Sequence, residues 1–158
     1  VSNIDLSKVV VKRLQKLNKT LSVAESITAG GIANQITQVP GASKVFIGGV
    51  IAYSDESKVS QLAISKADIK KFTSVSEQVA IEMAKSVRKK FKTDIAISTT
   101  GVAGPGKAYG QKAGTVWIGI STQKESFAVS LLLSGDREMI RHATITSALA
   151  ALERILKP

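Results

Sequence analysis

The chain has 158 residues, 44% of them hydrophobic and 22% charged, which suits a single domain over 1–158 with one core and excludes a disordered chain. It has no cysteine, which excludes disulfides, thiolate metal sites and a cysteine nucleophile. The net charge of +10 favours anionic partners, either phosphorylated metabolites or nucleic acid.

Asp5 to Lys19 reads as a helix, because Leu6, Val10, Leu14 and Leu17 recur at helical spacing. The charges of Asp5, Lys8, Lys12, Arg13, Lys16 and Lys19 exclude the apolar core of a signal peptide there. A short strand over Thr20 to Ala24 comes next, then a helix from about Thr28 to Thr37 that stops before the turn at Pro40-Gly41. Val45 to Tyr53 reads as a buried strand and is far too short to cross a bilayer. Asp55 to Leu62 reads as a short helix. A cytoplasmic protein is expected, with no membrane partner.

A longer helix starts near Ser74. Ser74 and Glu77 have the spacing of a capping box, and Ala80, Met83, Ala84, Val87 and Phe91 form its apolar stripe. Strands are expected over Asp94 to Thr99, Thr115 to Thr122 and Ser126 to Leu133, the last two as a hairpin across Gln123-Lys124-Glu125. Asp136 can cap a final helix with the stripe Ile140, Ala143, Ser147, Ala151 and Ile155. Helices and strands alternate early and strands bunch late. The pattern predicts an α/β fold, a three-layer α/β/α sandwich with a mixed central sheet.

The basic runs Lys70-Lys71 and Arg88-Lys89-Lys90 with Lys92 read as solvated helix faces and ends, where the helix dipole favours cations. With 4% aromatic residues there is little to stack on single strands, so a nucleic-acid partner is not expected.

The only histidine is His142, so a serine-histidine-aspartate triad and a histidine-rich metal site are not expected; no metal and no cofactor are predicted. Gly101-Val102-Ala103-Gly104-Pro105-Gly106-Lys107 fits a P-loop up to its lysine. Ala108 then stands where a magnesium-binding hydroxyl is needed, and Tyr109 to Gly114 reads as a loop rather than a helix. The glycine-rich stretch is either a flexible turn or a set of glycine amides that contacts a ligand. Ala24-Glu25-Ser26-Ile27-Thr28-Ala29-Gly30-Gly31 sits between a strand and a helix. Its serine is a candidate nucleophile beside helical amides, though taken alone such a serine is more often a cap. In Tyr53-Ser54-Asp55-Glu56-Ser57-Lys58, the lysine can act as a base if its pKa is lowered, and Tyr53 can donate to or shuttle a proton for the same centre. The plainer alternative is a tyrosine ending a strand and a solvated lysine.

Several motifs occur in a fixed order. They are Ala24-Glu25-Ser26 with Thr28 and Gly30, Pro40-Gly41-Ala42-Ser43, Gly48-Gly49-Val50, Tyr53-Ser54 with Lys58, and Val75-Ser76-Glu77. Thr100-Gly101 with Ala103-Gly104-Pro105, Gly114-Thr115-Val116-Trp117, and Gly135-Asp136-Arg137 with Arg141 complete the series. From about Leu6 to Leu156 the chain resembles the CinA C-terminal domain family (competence/damage-inducible protein), also called nicotinamide-nucleotide amidase. The resemblance implies hydrolysis of the carboxamide of nicotinamide mononucleotide to nicotinic acid mononucleotide and ammonia. It implies Ser26 as nucleophile, Lys58 as base and Tyr53 beside them. It further implies substrate binding by Thr28, Gly30, Gly31, Thr100 and Gly101, with Arg137 or Arg141 on the phosphate. Ile27 and Ala29 depart from the cysteine and glycine common in the family, and neither removes a catalytic atom. The domain also occurs in the family fused behind a larger molybdopterin-binding-like domain. A homo-oligomer, a dimer, is expected. The alternative reading is a non-catalytic nucleotide-binding or regulatory domain of a competence- or damage-inducible protein.

Overall fold

Ser2, Ser54, Ser65, Ser76 and Asp136 each accept a hydrogen bond from an amide three residues on, and a helix starts behind each of them. Each cap satisfies an amide that the first helical turn cannot pair internally. The structure, a computed structural model, describes all 158 residues. In chain order its elements are α1 (Asn3–Leu17), β1 (Leu21–Glu25), α2 (Gly31–Thr37), a 3-10 turn (Ala42–Lys44), β2 (Phe46–Ile51) and α3 (Asp55–Leu62). α4 (Lys66–Phe72), α5 (Glu77–Phe91), β3 (Ile95–Gly101), β4 (Thr115–Thr122), β5 (Ser126–Leu132) and α6 (Arg137–Ile155) complete the chain. No helix is long and apolar enough to cross a membrane.

The strands form one mixed sheet in the order β2-β1-β3-β4-β5. β1 runs parallel to both β2 and β3, whereas β3, β4 and β5 are antiparallel neighbours. Alternate strand residues serve opposite faces. Val23, Ile97 and Ile118 pack under α1, α2 and α6, and Ala24 and Ala96 pack under α5 with Leu62 and Met83. The result is the expected three-layer α/β/α sandwich.

Small residues on the second face let α5 settle close to the sheet. Ser98 Oγ donates to the Ala80 carbonyl at 2.6 Å, and a Cβ on Gly119 would collide with that same carbonyl oxygen.

Several local expectations change. The helix after Ser26 starts at Gly31 rather than near Thr28, because Ala29 and Gly30 have φ of 48° and 96°, which no right-handed helix tolerates. β2 is an edge strand, its residues alternately half-buried and exposed, rather than a buried one. The cap of α5 is Ser76, since Ser74 instead donates to Asp55. α4 lies between α3 and α5, where no helix is predicted. On α6 the buried stripe is Ile140, Thr144, Ala148, Leu149 and Leu152, rotated away from the predicted Ala143, Ser147, Ala151 and Ile155. Small and polar residues around the whole helix leave its apolar period weak.

Candidate active site

From β1 the chain passes through α2 to β2 on one side, and from β2 it crosses back to β3 on the other. The carboxyl ends of β1 and β3 therefore flank the point where the connections diverge, which is where open α/β sheets bind ligands. Ser26 lies just past the end of β1, and Thr100 and Gly101 finish β3. All three line a cleft of about 260 Å³ with Tyr53, Lys58, Ser74, the loop from Val102 to Tyr109, and Arg137.

Within this cleft Lys58 Nζ donates to Ser26 Oγ at 3.1 Å. Both residues are buried, Lys58 to 1% exposure. The pairing arises from the sheet: β2 lies beside β1 in parallel, so the α3 helix that starts after β2 begins next to the turn that ends β1. Ser54 caps α3 and Lys58 stands one turn further in, its amide donating to the Ser54 carbonyl. The second acceptor for Lys58 Nζ is the Tyr53 carbonyl at 3.4 Å, and no carboxylate forms an ion pair with it. Burial therefore holds the Lys58 ammonium below the usual lysine range, while the charge of Asp55 opposes this in part.

Tyr53 meets the pair through its main chain. Its carbonyl accepts from Lys58 and, at 3.5 Å, from Ser26 Oγ. Its phenol is half exposed, accepts from Arg137 Nη2 at 3.0 Å and forms no hydrogen bond with Ser26 or Lys58.

The predicted substrate contacts divide into two groups. Thr100 and Gly101 line the cleft, the Thr100 hydroxyl donating to the Ser74 carbonyl at 2.7 Å. A Cβ on Gly101 would press on Val116 and Ile27, so only glycine lets the cleft wall approach that closely. Arg137 also lines the cleft, where it donates to the Gly104 carbonyl as well as to Tyr53. By contrast, Thr28, Gly30, Gly31 and Arg141 border a separate, shallow hollow that also holds the exposed His142. Arg141 donates to the carbonyls of Ile27 at 3.1 Å and Thr28 at 3.4 Å, which makes it a brace for the turn after Ser26.

Two features of the site escaped the sequence reading. Glu25, 1% exposed, accepts from Thr28 Oγ1 at 2.6 Å and from the amides of Ile32 and Ala33 at 2.9 and 3.1 Å. It replaces the missing cap of α2 and uses up the amides an oxyanion there would need. The amides of Ala29 and Gly31 are likewise taken, by the carbonyls of Ser26 and Thr28. Ile27 lines the cleft with an amide that has no intramolecular acceptor, as do Ala103, Gly104, Gly106 and Lys107 in the loop after β3. The second feature is Tyr109, whose hydroxyl donates to Asp55 Oδ1 at 3.3 Å; burial, and then the Asp55 charge, push its pKa up. A carboxylate reaching seven or eight residues forward and a tyrosine bonded across the fold leave no local sequence pattern.

The loop from Val102 to Gly114 leads into β4 and not into a helix, which removes the P-loop reading. No cluster of potential metal-binding side chains is present.

A family model described as "CinA C-terminal domain" matches residues 3–156. A relative from Clostridium botulinum (strain ATCC 19397 / Type A), named as a competence-damage inducible protein, is 44% identical over 153 residues, covering 96% of this chain and 37% of its own length. A similarly named relative from Thermoanaerobacter sp. (strain X514) is 44% identical over 157 residues. This chain spans 37% to 38% of the length of these curated relatives. Among solved structures, a competence or damage-inducible protein from Enterobacter asburiae superposes with a TM-score of 0.96 at 30% identity, covering 99% of both chains. The competence/damage inducible protein CihA from Agrobacterium tumefaciens gives 0.94 at 27% identity, covering 99% of this chain and 98% of its own.

Proposed function

Because this chain belongs to the CinA C-terminal domain family, we propose that its cleft is that of a serine amidohydrolase acting on the carboxamide of nicotinamide mononucleotide. The observation that carries the reading is the 3.1 Å contact between Lys58 Nζ and Ser26 Oγ in a buried setting without a carboxylate. Burial that lowers the Lys58 pKa raises the share of neutral amine, and in that form the same contact reverses: the Ser26 hydroxyl donates to the Nζ lone pair.

Ser26 Oγ attacks the carboxamide carbon as its proton passes to Lys58 Nζ. The oxyanion that forms needs main-chain donors, and the free amides of Ile27 and Ala103 supply candidates on the cleft wall. Collapse breaks the C–N bond, and the Lys58 ammonium protonates the departing nitrogen as ammonia. Water then attacks the acyl ester, giving its proton to Lys58, which returns one to Ser26 Oγ as the acid leaves. One water is consumed for each ammonia released, and the lysine ends as it began.

The test is ammonia release from nicotinamide mononucleotide, with nicotinic acid mononucleotide monitored by chromatography. Ser26→Ala and Lys58→Met each lower kcat/KM by about 10²-fold or more while the nucleotide still binds. Binding to the unaltered chain with no ammonia, at enzyme concentrations matching the substrate, would leave a nucleotide-binding domain instead.

A further inference from the structure

Lys58, Lys107 and Arg137 border the cleft, and no aspartate or glutamate does. Lys58 is buried against Ser26, and Arg137 donates from both terminal nitrogens to the Gly104 carbonyl and the Tyr53 hydroxyl. Lys107 is exposed and forms no ion pair. The nearby carboxylate of Asp55 is held by the hydroxyls of Ser74 and Tyr109.

The main chain around Lys107 is rich in free donors. The amides of Gly104, Gly106 and Lys107 have no intramolecular acceptor. Gly104 and Gly106 have φ of 84° and 82°, left-handed values that let neighbouring amides turn toward one anion. Despite its glycines, this turn is held on both sides. Arg137 grips the Gly104 carbonyl before it. Beyond it, Ala108 and Gln111 exchange two main-chain bonds at 3.0 Å, and Gln111 Nε2 donates to the Val75 carbonyl at 2.7 Å. A pinned turn with free amides and an unpaired cation loses little freedom when it takes up an anion.

We infer that the Gly106–Lys107 turn is the anion subsite of this cleft and that Lys107 reads a phosphate monoester there, a proposal that rests on the amidase reading for what the rest of the substrate is. Arg137, whose two terminal nitrogens already tie Gly104 to Tyr53, shapes the wall between this subsite and Ser26. Lys107 is then the specificity residue that separates a nucleotide from its nucleoside.

Ribose 5-phosphate and ribose, titrated calorimetrically into the unaltered chain and into Lys107→Gln, Lys107→Arg and Lys112→Gln, test this. Lys112 is exposed on the same loop but does not line the cleft, so its loss removes equal charge away from the subsite. Ribose 5-phosphate is expected to bind the unaltered chain and ribose not to. Lys107→Gln weakens it by about tenfold or more, as for loss of a charge-assisted bond, Lys107→Arg restores it to within about threefold, and Lys112→Gln leaves it unchanged. Equal weakening by Lys107→Gln and Lys112→Gln overturns the proposal, as does no weakening by Lys107→Gln or no binding to the unaltered chain at millimolar sugar phosphate. No turnover is involved, so a failure of ammonia release overturns the amidase reading without deciding this one.

Discussion

Lys58 Nζ lies 3.1 Å from Ser26 Oγ across 32 residues of chain, and the only other acceptor within its reach is the Tyr53 carbonyl. A lysine buried without a carboxylate favours its neutral form, which is the form a base requires. kcat/KM for ammonia release is therefore expected to rise with pH along a limb whose midpoint lies below 10.5, the ordinary lysine value. Asp55 is the acidic group that raises the Lys58 pKa, so Asp55→Asn moves the limb to lower pH. A limb at or above 10.5, or one that Asp55→Asn moves upward, contradicts this assignment.

The same burial has a sign for stability. Because the folded pKa is depressed, the unfolded chain binds more protons between that lowered value and 10.5, and stability rises with pH across the window. Below the window the full cost of burying the ammonium is present. Lys58→Met is expected to raise the urea midpoint at neutral pH while lowering kcat/KM by about 10²–10⁴-fold.

Arg141 braces the carbonyls of Ile27 and Thr28 from outside the cleft. Arg141→Ala is thus expected to lower kcat by loosening the turn that holds Ser26, with the preference for ribose 5-phosphate over ribose unchanged. A lost phosphate preference would instead put Arg141 on the ligand.

Glu25 accepts two amides and a hydroxyl while almost fully buried. In Glu25→Gln one of those donors faces an NH₂ group, so about 1–3 kcal/mol of stability is lost, the cost of an unsatisfied buried donor. Urea unfolding monitored by circular dichroism measures it, and an unchanged midpoint would count against the cap.

Gly119 lies beneath α5, where an added methyl meets the Ala80 carbonyl and Ser98 Oγ. Gly119→Ala is expected to cost about 1–3 kcal/mol through overpacking, read as a lower urea midpoint. Ser98→Ala does not relieve the clash, since the carbonyl remains.

Local signals made much of the fold readable. The helix over Asp55 to Leu62 forms as expected, Asp136 caps α6 as expected, and the β4–β5 hairpin turns at Gln123-Lys124-Glu125. Capping and turn chemistry act over three or four residues, so the pattern is complete in the sequence. Misreadings came where distant contacts decide the outcome. Ser74 has the spacing of a cap but is drawn to Asp55, nineteen residues away, and the uniform apolarity of Val45 to Tyr53 cannot reveal that β2 lies at an edge.

Ser26 and Lys58 were candidates from their motifs, and the resemblance to the family is what set them above a helix cap and a solvated lysine. Their pairing belongs to the tertiary structure, because only parallel β1 and β2 bring the ends of two separate segments side by side. The same holds for the arginines. Arg137 and Arg141 lie one helical turn apart, and sequence treats them alike. The docking of α6 points one into the cleft and the other at the outside of the Ser26 turn, since residues of one helix reach different neighbours once its buried stripe is fixed. Residue chemistry was written in the chain; which groups share a desolvated space, and hence which lysine has its pKa lowered, was decided by packing.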